Sequence, residues 1–307
     1  MQPTPSPQPS TPALRPLGVG DVIDRVFALY RARALGLFVL GEVLFIGVVV
    51  AWIILGVVFA VTMRDAFVRI GREGANPAAL ATSPALLDLF GPFLLIGIIG
   101  WLVTLLVGAV LTGAVVDAAS AAHLGKERSI ASSLVVGFHA SLRIFFTGLL
   151  ATIAVTLVGV VFQLISTPIE NALLLFLITL VYFFAIFFIQ ASWFVSPVVA
   201  TVEGHGPISS LRRSWQLAGG FRWRIVGLFL LLVVIFLVLL FLVLFVIGIV
   251  AATNQSAGVI AAFIALFAAI PLWMPLFFGT MTVLYYDLRV RKEGLDLQLA
   301  AEAMPRA

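Results

Sequence analysis

The sequence predicts an all-α membrane protein: six transmembrane helices with short amphipathic helices lying in the membrane interface. Three observations lead there. Of the 307 residues, 62% are hydrophobic and 10% charged, whereas a soluble domain is nearer half apolar and a quarter charged. A soluble chain of this size cannot bury so much apolar surface, so lipid must solvate it. Six stretches reach the roughly 20 apolar residues that a helix needs to cross a bilayer core. Finally, the basic residues fall almost wholly in alternate connections.

In chain order, residues 1–16 contain six prolines and no apolar periodicity, which predicts a disordered or polyproline-like tail. They lack the basic start, apolar middle and small-residue cleavage site of a signal peptide. Residues 17–297 then form a single six-helix membrane domain, and 298–307 a short C-terminal tail. The six spans run from Leu35 to Val61, Phe90 to Val116, Ile144 to Ile165, Leu173 to Val202, Ile225 to Ala252 and Gly258 to Tyr286. The fourth and sixth exceed the bilayer core and must tilt, kink or emerge. Pro197 lies near the end of the fourth. Pro271 and Pro275 lie inside the sixth, where each removes a backbone donor and favours a kink.

Fifteen of the 18 basic residues lie in the segment before the first span, the second-to-third and fourth-to-fifth connections, and the C-terminal tail. Only Arg64, Arg69 and Arg72 lie on the other side. By the positive-inside rule both termini face the cytoplasm, as in a multi-pass protein of a bacterial plasma membrane.

The cytoplasmic segments read as amphipathic helices. Val19, Val22, Ile23, Val26, Phe27 and Tyr30 share one face, with Asp21, Asp24, Arg25 and Arg31 opposite. Asp21 and Arg25, four apart, are spaced to pair. Before the fifth span, Pro207 suits a first helical turn and Gly219-Gly220 an end. Ile208, Leu211 and Trp215 line one side there, with Arg212 and Arg213 turned away. A third such helix, with Ile130, Leu134, Phe138 and Leu142, precedes the third span. Together they suggest three repeats, each an interfacial helix plus a helical hairpin. Ser129–Leu134 aligns with Pro207–Leu211 at an offset of 78 residues for Ile and 77 for Ser-Ser-Leu, with a one-residue gap. Asp117 and Asp287 each close a returning span.

Three stretches, Pro16–Arg31, Leu211–Leu217 and Leu284–Asp296, resemble bacterial integral membrane proteins described as the membrane domain of glycerophosphoryl diester phosphodiesterase. The resemblance covers about residues 16 to 297 and implies the fold above. It implies no phosphodiesterase activity, because the His-Arg pair and Glu-x-Asp that such enzymes use for metal and phosphate are missing.

Few residues suggest chemistry. Glu42, about seven residues into the first span, is the one carboxyl inside a predicted span, where a charge costs about 2.5–3.5 kcal/mol on insertion scales. Its plain role is a protonated or interfacially hydrated group; its functional role would be proton, cation or headgroup handling. Asp117 and Asp287 are placed to pair with arginines such as Arg289 or Arg291. Asp21, Asp24 and Arg25 would join Arg212 and Arg213 in one charge cluster if the repeats pack symmetrically; otherwise they snorkel toward headgroups. His123, His139 and His205 lack zinc spacing. With no Cys, thiolate sites are excluded. No cofactor, metal or nucleic acid is expected; lipids are the expected partners, with a protein partner left open. The sequence therefore favours a non-catalytic structural or accessory protein. A small transporter or channel using Glu42 and the sixth span is the alternative, and an intramembrane enzyme the last choice.

Overall fold

The computed structural model describes residues 15–73 and 84–302. The Pro-rich tail up to position 14 and the last five residues lie outside these. Nearly every described residue is helical and none is in a strand. The helices are α1 (Val19–Thr62), α2 (Arg64–Glu73), α3 (Pro84–His123), α4 (Ile130–Ser166), α5 (Ala172–Trp193), α6 (Ser196–Val202), α7 (Pro207–Ala218), α8 (Arg222–Thr253), α9 (Gln255–Glu293) and α10 (Leu295–Glu302). Six spans are long and apolar enough to cross a membrane, in α1, α3, α4, α5 with α6, α8 and α9. The chain is thus an all-α, multi-pass membrane protein. Its expected C-terminal tail begins as helix α10.

Two of the three expected interfacial helices are not separate elements. α1 runs unbroken for 44 residues, so interfacial segment and first span share one helix. α4 does the same before the third span. The reason is local: neither segment holds a helix-ending Gly pair or Pro. Only α7 stands alone. It begins with Pro207 in the first turn and ends at Gly219-Gly220, where Gly220 has φ +84°, a conformation that favours glycine.

Helix starts set the repeat register. Ser129 caps α4, its Oγ accepting from the Ser132 N–H at 3.2 Å, and Gly206 occupies the same place before α7. Ile130 therefore matches Pro207, not Ile208. The offset is 77 throughout and the one-residue gap disappears. Counted from Val19, Ile130 and Pro207, the fourth helical residue is buried in all three segments (Val22, Ser133, Ser210), and so is the eighth (Val26, Gly137, Ser214). The bulky apolar residues Phe27, Ile130, Phe138, Leu142, Ile208 and Trp215 are exposed. The small residues thus face protein, and the large ones are left for lipid. Ser129→Ala should lower stability by about 1 kcal/mol, the usual value of an N-cap, measured by thermal unfolding in detergent.

The fourth span is broken. α5 ends at Trp193, and α6 restarts at Ser196 with Pro197 in its first turn. Proline cannot supply the backbone donor that continuation would need. The sixth span behaves otherwise: α9 stays helical through Pro271 and Pro275. The α4–α5 and α8–α9 turns use side-chain caps, Asn171 Oδ1 accepting from the Leu174 N–H and Asn254 Oδ1 from the Ala257 N–H, both at 3.0 Å.

The chain divides into two compact units. One comprises residues up to Gly41 and from Ala109 onward. Its core joins Val22 and Val26 of α1 to Val195, Val198 and Val199 around the break, Leu217 of α7, Ile225 of α8 and Leu284 of α9. Gly113 of α3 meets Gly137 of α4 backbone to backbone. The other unit is Glu42 to Gly108. There the Trp52 ring lies over Gly100, its indole N–H donating to Thr104 Oγ1 at 2.9 Å. The half-exposed Arg69 and Asp88 pair at 2.7 Å.

Candidate functional site

Polar side chains of the larger unit concentrate at the charged helix ends. The most buried acid is Asp287, near the end of α9, whose side chain is 0% exposed. It accepts from the Leu17 N–H at 2.7 Å, from Arg224 at the start of α8 and from Arg291 one helical turn on at 3.1 Å. Arg224 and Arg291 also donate to the Leu17 carbonyl oxygen. Both backbone groups of Leu17 are therefore held by the end of the chain.

A second node centres on Glu203, just past α6. It accepts from Arg213 Nε at 3.1 Å and from the Tyr285 hydroxyl at 2.7 Å. Arg213 reaches Glu293 with its Nη1 at 2.6 Å, and Arg289 closes the group on Glu293 at 3.0 Å. Two guanidiniums meet two carboxylates, so the node is neutral. Burial opposes the charge on Arg213, but its bonds to Glu293 and Glu203 outweigh burial and hold its pKa above the usual value. It stays charged at any accessible pH.

Asp117 of α3 is simpler: its Oδ2 accepts from Ser133 Oγ at 2.8 Å, with Arg128 at 3.7 Å. Arg222 lies against both the Phe188 and Trp215 rings, which meet edge to face, its guanidinium carbon 4.6 and 4.7 Å from their centroids. Its Nε donates to Ser192 Oγ at 2.7 Å. Here two cation–π contacts stand in for part of the water around the charge.

The expected single cluster is therefore not what forms. Asp21, Asp24, Arg25 and Asp287 line one cavity of about 300 Å³, together with Arg15 and His123. Arg213 and Arg289 belong to the Glu203–Glu293 node. Arg212 is exposed, because it projects from the opposite side of α7 to buried Ser210 and Ser214. Asp21 and Arg25 do not pair; Asp21 Oδ2 instead accepts from the Gly18 N–H at 2.9 Å, serving the first turn of α1. Arg289 contacts neither Asp117 nor Asp287, since its reach along α9 ends at Glu293. Among the described residues no group of His and acidic side chains is arranged to hold a metal ion.

Glu203, Glu293, Arg224 and Tyr285 were not singled out from sequence. One signal existed for Glu203. With Asp117 and Asp287 it forms a near-even series along the chain, one acid after each returning span. Each acid ties down the next interfacial segment: Asp117 holds Ser133 of α4, Glu203 holds Arg213 of α7, and Asp287 returns to Leu17 before α1.

Glu42 belongs to the smaller unit. Its Oε2 is buried and has no hydrogen-bond partner among the described residues, although the residue as a whole is half-buried. A comparison of the chain with protein families, curated proteins and solved structures finds no match among any of them.

Proposed function

We propose that this chain is a non-catalytic membrane protein with a structural or accessory role, exercised through lipid and a partner protein. The observation that carries this reading is how the polar groups are used. The acids at the ends of the returning spans bind neighbouring chain segments, while the most apolar stretch of each span is at most 17% buried within the protein. Surfaces so apolar must be covered by acyl chains. Purified protein in liposomes should move no solute while retaining tightly associated lipid. Sustained flux of any solute class would overturn the structural role.

The charged face is assigned to the cytoplasm of a bacterial plasma membrane on the fifteen-to-three charge split. Because the chain has no Cys, single introduced thiols report topology cleanly. Gln255→Cys should react with a membrane-impermeant maleimide in intact cells, and Ala301→Cys only after permeabilisation. The resemblance to membrane domains of glycerophosphoryl diester phosphodiesterase belongs to the same proposal. Its support is that the three stretches behind it meet in one unit, through Leu17 with Asp287 and Arg213 with Glu293.

One observation favours a second reading as a small transporter: the unpartnered buried oxygen of Glu42. A broken span such as α5–α6 is also a transporter feature. Under this reading Glu42→Gln abolishes proton-coupled uptake in proteoliposomes. Under the structural reading the variant behaves as wild type in flux and in thermal unfolding.

A further inference from the structure

The cavity of about 300 Å³ at the charged end of the larger unit borders the Leu17–Asp287 node but is lined mostly by side chains outside it. It is lined by Arg15 and Leu17, by Asp21, Asp24 and Arg25 of α1, by His123 of α3, and by Tyr286 and Asp287 of α9. Its volume is at the lower bound for small-molecule sites. Asp287 is already paired with Arg224 and Arg291, a group with one positive charge to spare. That leaves Arg15, Arg25, Asp21 and Asp24, two charges of each sign. Among the described residues the side chains of Arg15, Asp24 and Arg25 make no hydrogen bond or ion pair. The second observation is His123. It is 3% exposed, its ring forms part of the wall stacked on Tyr286 at 5.2 Å, and its Nδ1 is shut off from solvent with no protein partner. A buried polar atom without a partner costs stability, so a group that satisfies it should be favoured.

We propose that this cavity binds a zwitterionic phosphoamine, its phosphate on Arg15 and Arg25 and its ammonium on Asp21 and Asp24. The charge balance selects this class. A bare phosphate would satisfy the guanidiniums and leave two carboxylates beside an anion. A bare amine would face two guanidiniums. A phosphate and an ammonium on one short linker satisfy both pairs at once through charge-assisted hydrogen bonds. His123 then offers a hydrogen-bonding nitrogen at the wall. The same chemistry exists as the head of phosphatidylethanolamine and as free phosphoethanolamine. The site goes beyond the acyl-chain contacts proposed above, since a soluble compound would fill it without any lipid.

The test uses the full chain, first delipidated in maltoside detergent and titrated calorimetrically with phosphoethanolamine, inorganic phosphate and ethanolamine. In a second arm the chain is placed in nanodiscs of phosphatidylethanolamine, phosphatidylcholine or phosphatidylglycerol, and retained lipid is read by native mass spectrometry. Phosphoethanolamine binding at least about tenfold tighter than either half identifies a free ligand. Selective retention of phosphatidylethanolamine alone identifies the lipid head; either result supports the site. Arg25→Gln should weaken binding at least about tenfold. Asp24→Asn, at an exposed position, should bring phosphoethanolamine down to the affinity of phosphate. Phosphate binding as well as phosphoethanolamine in wild type would overturn the proposal. So would no binding in either arm at millimolar concentration, or wild-type binding by a folded Asp24→Asn protein. None of these outcomes bears on whether the chain moves solutes.

Discussion

Asp287→Asn is expected to destabilise the protein by about 3 kcal/mol, the lower end of what breaking a buried ion pair costs. The substitution keeps the shape of the side chain and removes its charge. Arg224 and Arg291 would then face each other across the Leu17 carbonyl with no anion between them. Their own side chains are partly exposed, so water recovers some of the loss, which is why the lower end applies. Asp88→Asn is the internal control. It breaks a half-exposed pair with Arg69, worth at most about 1 kcal/mol. Unfolding in detergent by heat or by rising SDS fraction should rank the two variants in that order. A loss below about 1 kcal/mol for Asp287→Asn would mean that solvent screens the node and that Leu17 is not held by charge.

Gly137→Ala carries the second large effect, and its sign decides the point. Alanine is the better helix former by about 1 kcal/mol, so an unconstrained site would gain stability. At Gly137 the new methyl group would run into the Val110 carbonyl oxygen and lie 2.7 Å from the Ala114 nitrogen. Both are backbone atoms of α3 and neither can swing aside. The helices must separate, at a net cost of about 1–3 kcal/mol. Gly148→Ala, later on α4, has open space around the added carbon among the described residues. It should be neutral or stabilising by up to about 1 kcal/mol. Equal behaviour of the two variants would remove the close approach of α3 and α4 as a determinant of the fold.

Much of the architecture was readable because the properties concerned are local. The six spans follow from unbroken apolar length, whereas a missing proline donor alone did not tell where a span breaks: the fourth breaks before Pro197, and α9 continues through Pro271 and Pro275. Gly219-Gly220 ends α7 as its composition predicts. What escaped depends on partners distant in sequence. Arg213 reads as one more basic residue beside Arg212, and only the positions of Glu203 and Glu293 reveal that one is half-buried and paired while the other is exposed. The inward face of α4 escaped for a related reason. Apolar periodicity marks Ile130, Phe138 and Leu142 as a face, but in lipid that face points away from protein, and small residues pack inward instead. Burial at Ser133 and Gly137 is therefore invisible to a search for hydrophobic stripes. The repeat match carried a one-residue gap for an equally specific reason: Ile130 was set against Ile208, whereas the helix caps Ser129 and Gly206 extend the 77-residue offset of Ser-Ser-Leu to the helix start.

The hold on Leu17 bears on how the chain is made. The Leu17 N–H and the carboxylate that receives it are 270 residues apart. At ordinary synthesis rates the first of these leaves the ribosome tens of seconds before the second. During that interval the node is incomplete, since Arg224 is translated only late in it and Asp287 and Arg291 at its end. Closure of the charged end therefore waits until the end of α9 has been made. A nascent chain stopped short of Asp287 should expose the region around Leu17 to protease, and the finished chain should shield it.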